Sequence, residues 1–239
     1  MFAANAVQSV FRANRLTADN LQHAADGGAI LAHEREAVLS VLQLWKEHSA
    51  DARDVRRRVA TVCSAAAAGA AGQVGIGVLL AYTVPASNVL VIAPSADLAD
   101  EAHEAFTHRR EAFVIRRKLW GAEDAATVLP PSFGTQAADR RSFGAAIRSG
   151  RLHYHAPPQQ PQTLLVVNYS EFAGGGAAIQ LDSLCAHGDA FDLVIVNEAQ
   201  LYTASVWQTL VERLHGRIVF ITNTPNAAAA EYTAIQIYE

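Results

Sequence analysis

Short, uninterrupted runs of apolar residues recur along this chain, and they limit its fold more than any other feature. A strand with one face in water alternates apolar and polar residues, whereas a strand covered on both faces is apolar throughout. The runs NVLVIA, TLLVV and RIVFIT are of the second kind. This pattern predicts strands at residues 59–63, 88–93, 163–167, 191–196, 217–222 and 233–238. Helical segments alternate with the runs, so we predict an α/β fold, a mostly parallel sheet with helices on both faces.

Two helices are supported by the spacing of their apolar residues. Residues 33–48 carry apolar side chains at helical intervals, ending in Leu42 and Trp45. Residues 205–214 form the second helix, in which Trp207 lies beside Val206 and Leu210. We interpret Trp207 as a core residue rather than a stacking platform.

The chain has 239 residues, which suffices for one α/β domain with a full core. We predict a single domain over residues 31–239, with an irregular insertion around residues 118–161 that contains Pro130-Pro131. Residues 1–30 form an N-terminal extension. Its first 18 residues contain Arg12, Arg15, several alanines and no acidic residue. This composition resembles a mitochondrial targeting segment, and an ordinary N-terminal helix explains it equally well.

Charge and cysteine content restrict the partners and the compartment. The net charge of −4 gives no general attraction to nucleic acid. Arginines cluster at residues 53–58 and 109–118, and we expect both clusters on solvated faces. Cys63 and Cys185 lie far apart, which favours a reducing, intracellular compartment over a disulfide or metal site. No apolar run approaches the ~20 residues that span a bilayer, so we expect no membrane partner.

Ligands of parallel sheets bind beyond the carboxyl ends of the strands, so the residues that follow each strand carry the functional information. These segments resemble, in chain order, the motifs of superfamily 2 helicases and type III restriction-like ATPases. Residues 33–38 resemble the family's short HQxEAV helix, and VIAPS at residues 91–95 its motif Ia. DLVIVNEAQ at residues 192–200 is similar to the Walker B stretch DLVIVDEAH, and FITNTP at residues 220–225 to motif III. The resemblance implies a RecA-like P-loop NTPase domain.

The phosphate-binding loop of that family is degenerate in this chain. Such a loop needs glycines, a lysine for the β- and γ-phosphates and a hydroxyl for Mg²⁺. Gly69 and Gly72 remain, while Gln73 takes the lysine place and Val74 the threonine place when the motif is aligned from the following helix. Alignment from the preceding strand puts Ala70 and Ala71 there instead, and the sequence leaves both registers open. Residues 59–108 contain no lysine or arginine in either case.

The Walker B segment is degenerate independently. Asn197 occupies the place of the metal-binding aspartate, and a neutral amide is a poor ligand for Mg²⁺. Glu198 remains as the potential general base, and Gln200 replaces the family's histidine. We therefore expect no metal and no cofactor, with ATP and Mg²⁺ the only candidates.

The resemblance also implies where nucleic acid would lie. Residues near the bound strand in the family correspond to Pro94, Ser95, Asn168, Thr222 and Thr224. We expect a catalytically inactive helicase-like domain that is a structural or regulatory subunit of a larger complex, with weak RNA or DNA contact. A weakly active ATP-dependent helicase fragment is one alternative. The turn GAAGQVG at residues 69–75 also resembles NAD-dependent dehydrogenases, which makes an NAD-binding Rossmann protein the other.

Overall fold

Six parallel strands form one sheet at the centre of the structure. The structure is a computed structural model that describes residues 21–22, 25–47, 58–64, 70–84, 88–107, 163–168, 191–224 and 233–237. The strands are β1 (Val59–Ser64), β2 (Asn88–Ala93), β3 (Thr163–Asn168), β4 (Leu193–Val196), β5 (Arg217–Thr222) and β6 (Thr233–Ile237). Their order across the sheet is β3-β2-β4-β5-β1-β6, and every neighbouring pair is parallel. All six carboxyl ends therefore lie at one edge.

Helices cover both faces of this sheet. They are α1 (Ala32–Glu47), α2 (Ala70–Thr83), α3 (Ala96–Thr107) and α4 (Ala204–Arg213), with a 3₁₀ turn at Ala199–Leu201 before α4. One core cluster joins α1, α2 and α3 to the face of the sheet that carries Val62 and Ile195. The other joins α4 to the opposite face, where Trp207 stacks on Phe220 with ring centroids 4.0 Å apart. The predicted α/β class, with a parallel sheet and helices on both faces, is confirmed.

Local sequence explains where the helices begin. The backbone N–H of Leu31 donates to Glu34 Oε2 at 2.7 Å, so Glu34 satisfies a free amide at the start of α1. The Ser95 hydroxyl accepts from the N–H of Leu98 at 3.3 Å and caps α3 in the same way. Helix α2 has no charged residue in its first or last turn and lies between α1 and α3. It is apolar on all sides because it is buried on all sides.

The domain core extends into the predicted N-terminal extension. Leu21 and Ile30 are buried and belong to the same cluster as α1 and α2. The packed unit therefore begins no later than Leu21, earlier than the boundary expected at residue 31. Residues 1–20, which carry the resemblance to a targeting segment, and the expected insertion at 118–161 lie outside the described residues.

Arg58 corrects one expectation from the sequence. The arginine cluster at residues 53–58 was expected on a solvated face, but the Arg58 side chain is only 9% exposed. Its guanidinium donates hydrogen bonds to the backbone carbonyls of Val211, Leu214 and Gly216. Val211 lies in the last turn of α4, and Leu214 and Gly216 follow it, where the helix itself supplies no donors. Arg58 is therefore a buried cap of α4, and its charge complements the negative end of the helix dipole.

Among the described helices, none combines the length and apolar character that a membrane crossing requires.

Candidate functional site

The carboxyl edge of the sheet brings the three motif-like segments together. Strands β4, β5 and β1 are parallel neighbours, so their carboxyl ends lie side by side. With parallel strands spaced about 4.8 Å apart, the ends of β1 and β4 are roughly 10 Å apart. Residues 65–69, including Gly69, and Pro225 lie outside the described residues.

Gln73 connects two of these segments directly. Helix α2 begins at Ala70, so Gly72 and Gln73 lie in its first turns. The Gln73 side chain is fully buried, and its Oε1 accepts a hydrogen bond from the backbone N–H of Glu198 at 2.7 Å. Val74 is also buried but belongs to the apolar core, where it offers no group to a ligand. The contact thus joins the residue in the expected lysine place to the turn that follows β4.

Asn197 lies next to this contact. Its backbone N–H donates to the Ile92 carbonyl at 3.0 Å, which extends the β2–β4 pairing by one residue. Its side chain is 4% exposed, and Oδ1 makes no hydrogen bond to the described part of the chain. The Nε2 of Gln73 is likewise buried and unbonded among the described residues. Gln73 and Asn197, which the family resemblance aligns with a lysine and a metal ligand, are therefore both buried, neutral carboxamides.

Gly77 lets helix α2 approach these residues closely. A Cβ at this position would lie 3.1 Å from Ile195 Cγ2 and 3.8 Å from Asn197 Oδ1. The first distance is shorter than ordinary van der Waals contact, so with a side chain here Ile195 or α2 would have to shift by a few tenths of an ångström. Gln73 lies one helical turn before Gly77 and on the same side of the helix. The absence of a side chain at Gly77 consequently brings Gln73 within reach of Glu198.

Glu198 has a left-handed backbone conformation, with φ 50° and ψ 46°. It is the only residue other than glycine with positive φ in the described part of the chain. Left-handed backbone costs an L-residue roughly 1–2 kcal/mol, so surrounding contacts must hold it. Its N–H is bound by Gln73, and its carboxylate accepts a hydrogen bond from Gln200 Nε2. The backbone N–H and the carboxylate of Glu198 are thus both hydrogen-bonded within the protein.

Trp207 fixes the same turn from the other face of the sheet. Its indole Nε1–H donates to the Ala199 carbonyl at 3.0 Å, and its ring is fully buried against Phe220. The expectation that Trp207 is a core residue is confirmed. Residues 197–202 are therefore held by Gln73 of α2 on one side and by Trp207 of α4 on the other.

The residues expected to contact nucleic acid differ in exposure. Pro94 and Ser95 follow β2 and are half-buried, while Thr224 is exposed beyond β5. Asn168 ends the edge strand β3, and its side chain lies outside what the structure describes. Thr222 is fully buried, and its hydroxyl bonds the backbone of Thr224. Thr222 therefore closes its own turn and presents no group to a ligand at the surface.

Three of the arginines in the described part of the chain lie away from this edge. Arg58 and Arg217 flank the starts of β1 and β5, and Arg213 ends α4 shortly before β5, so all three lie toward the opposite, amino edge. In the described ranges, no three His, Cys, Asp or Glu side chains are grouped as a metal ion requires. The arginines of residues 109–118 lie outside those ranges.

Two structural roles were missed by sequence reasoning. Gly77 carried a usable signal, because a glycine inside an apolar helix often marks the close approach of another backbone. The Arg58 cap carried none, since its acceptors are backbone carbonyls more than 150 residues away in the chain. No family model, curated protein or solved structure matches this chain. Function must therefore be inferred from the residues of the site.

Proposed function

We propose that this chain is a RecA-like, helicase-type domain without ATPase activity, which acts as a structural or regulatory subunit of a larger complex. The observation that carries the proposal is the buried hydrogen bond between Gln73 and Glu198. It links the phosphate-loop-like helix to the Walker B-like turn through neutral groups alone. It also favours the register that places Gln73, rather than Ala70, at the lysine position.

The chemistry of ATP hydrolysis explains why these groups make a poor catalyst. A lysine neutralises charge on the transferred phosphoryl group, and a carboxylate holds the hydrated Mg²⁺ that bridges the phosphates. Gln73 and Asn197 supply neither charge. Each loss removes several kcal/mol of transition-state stabilisation, because these interactions act in a water-poor site. Glu198 retains a carboxylate, but it is 9% exposed and already hydrogen-bonded to Gln200.

The strand order does not favour the NAD-binding alternative. In the dinucleotide-binding fold the first and second strands are neighbours, in the order 3-2-1-4-5-6. Here β1, which precedes the glycine-containing turn, lies between β5 and β6 and is separated from β2 by two strands. Strand β2 is also followed by Pro94-Ser95 rather than by an acidic residue that would bind a ribose.

A single-turnover assay with radiolabelled ATP and Mg²⁺ tests the proposal. We expect no hydrolysis above background in the unmodified protein, nor in Asn197→Asp, because nothing clamps the γ-phosphate. The double variant Gln73→Lys with Val74→Thr should gain weak nucleotide binding at most, since the metal ligand is still missing. Mg²⁺-dependent hydrolysis by the unmodified protein that disappears in Glu198→Gln would overturn the proposal.

The retained Glu198 supports a second candidate, an ATP-dependent helicase or ATPase fragment whose second domain is supplied by another chain. This candidate requires measurable nucleotide affinity in the unmodified protein. A titration with a fluorescent ATP analogue and Mg²⁺ separates the two. Saturable binding that weakens on Asn197→Ala favours the fragment, whereas no binding up to millimolar nucleotide favours the inactive subunit.

A further inference from the structure

The backbone of the turn at residues 197–202 makes hydrogen bonds with side chains on both faces of the sheet. Gln73 binds its N-terminal part through the Glu198 N–H, and Trp207 binds the Ala199 carbonyl. Within the turn, the N–H groups of Leu201 and Tyr202 donate to the carbonyls of Glu198 and Ala199. The Leu201 side chain is 65% exposed and provides little packing.

The left-handed Glu198 opposes these contacts. Its backbone is less stable than an ordinary turn conformation, and a residue other than glycine keeps it only while its surroundings enforce it. The Gln73 carboxamide is the described side chain that binds its N–H, and Gly77 permits the approach of α2 that this bond needs. The strain in the Glu198 backbone therefore favours opening of the turn, while the hydrogen bond from its N–H to Gln73 favours the closed turn. These two are the opposing pair.

We propose that this pair is a latch: Gln73 and Gly77 of α2 are positioning residues that keep residues 197–202 closed, and this turn opens as a local unit when the bond to Gln73 breaks. The latch couples the start of α2 to the conformation of the turn. Anything that displaces the first turns of α2 releases Glu198, Gln200 and Leu201 together. This inference stands on the contacts alone and does not depend on the helicase-like function proposed above.

Amide hydrogen exchange of the full chain, followed by NMR or by mass spectrometry of overlapping peptides, tests the latch. The variant Gln73→Met keeps the length and apolar part of the side chain but removes the acceptor. It leaves the buried Glu198 N–H without a partner, so we expect the amides of residues 198–202 to exchange at least about tenfold faster. The amides of Ile195 and Val219, in the central strands, should keep their rates, because local opening does not require the sheet to unfold.

A second variant acts on the strain instead of on the hydrogen bond. Asparagine tolerates left-handed backbone better than glutamate does, so Glu198→Asn should slow exchange in the same turn. The two variants should therefore change the amide exchange rate of the turn in opposite directions, whereas a general loss of stability would raise it in both. Gln208→Met is the matched control, because it removes an exposed hydrogen bond to Glu212 on α4 and should leave the turn unchanged.

Three results would overturn the latch. If the amides of residues 198–202 exchange at an unchanged rate in Gln73→Met, then Gln73 does not restrain the turn. Equal acceleration at Ile195 and Val219 would show that Gln73 stabilises the whole domain rather than a local unit. Should Gln73→Met fail to fold, faster exchange in Glu198→Asn than in the unmodified protein would still contradict the proposed opposition.

Discussion

Replacing Arg58 with methionine should destabilise the domain by about 3 kcal/mol, because it leaves buried carbonyls of α4 without a donor. Two of the three acceptors, the carbonyls of Val211 and Leu214, are in buried contacts, and that of Gly216 is partly buried. An unsatisfied buried group costs about 1–3 kcal/mol, and bonds made by one side chain do not add fully. Two buried acceptors at about 1.5 kcal/mol each give the stated loss.

Urea denaturation followed by far-UV circular dichroism measures this loss, and a thermal scan should show Tm lowered by roughly 6–12 °C. Arg58→Lys should fall between the unmodified protein and Arg58→Met, because an ammonium keeps the charge but not the planar fork of donors. Arg213→Met is the matched control: it removes the same charge from an exposed position in the last turn of the same helix. It should cost no more than about 1 kcal/mol. Equal losses from Arg58→Met and Arg213→Met would refute the cap and leave only the helix dipole as an explanation.

Three further predictions concern the turn, the surface and the free thiol. Trp207→Phe should cost about 2–3 kcal/mol, since it removes the donor to the buried Ala199 carbonyl and part of the stacked ring, and urea denaturation beside Gln208→Met would detect this. Single-stranded RNA and DNA should bind weakly and lose affinity steeply between about 50 and 200 mM salt in fluorescence anisotropy; undetectable binding at low salt would leave protein contact as the only role of Pro94, Ser95 and Thr224. Burial raises the pKa of the Cys63 thiol, so at neutral pH it carries less thiolate than a free thiol. In a Cys185→Ser background, iodoacetamide should therefore react slowly at pH 7 and faster as pH rises through the raised pKa, and a rate above that of free cysteine at pH 7 would contradict this.

The central strands β1, β2, β4 and β5 were predictable from sequence because they are buried on both faces. Asn88–Ala93 and Arg217–Thr222 have the bounds expected from their apolar runs, and α1 begins and ends one residue earlier than expected. Strand β4 begins at Leu193, two residues later than predicted, and the Asp192 carbonyl before it accepts a hydrogen bond from the Arg217 N–H of β5. Parallel pairing then fixed which segments share the carboxyl edge.

The contacts within the site were not predictable in the same way. Gln73 and Glu198 are 125 residues apart, and the bond uses a backbone N–H that every residue except proline has. No residue pattern distinguishes such a pair before the strand order is known. The left-handed conformation of Glu198 is equally hidden, because glutamate is not a residue that favours it.

The position of β1 in the sheet has a consequence for synthesis on the ribosome. Val59 pairs with Ile218, 159 residues later, and Ala60 pairs with Thr233 on the other side. When β1 leaves the exit tunnel, neither of its neighbours has been translated, whereas β2 and β3 can pair with each other once β3 emerges, before β5 and β6 are made. An arrested chain that ends before Arg217 therefore holds an apolar strand with both edges open, the kind of segment that aggregates or recruits chaperones. Completion of the sheet has to wait until β5 and β6 have emerged, so β1 cannot pair with its neighbours before then.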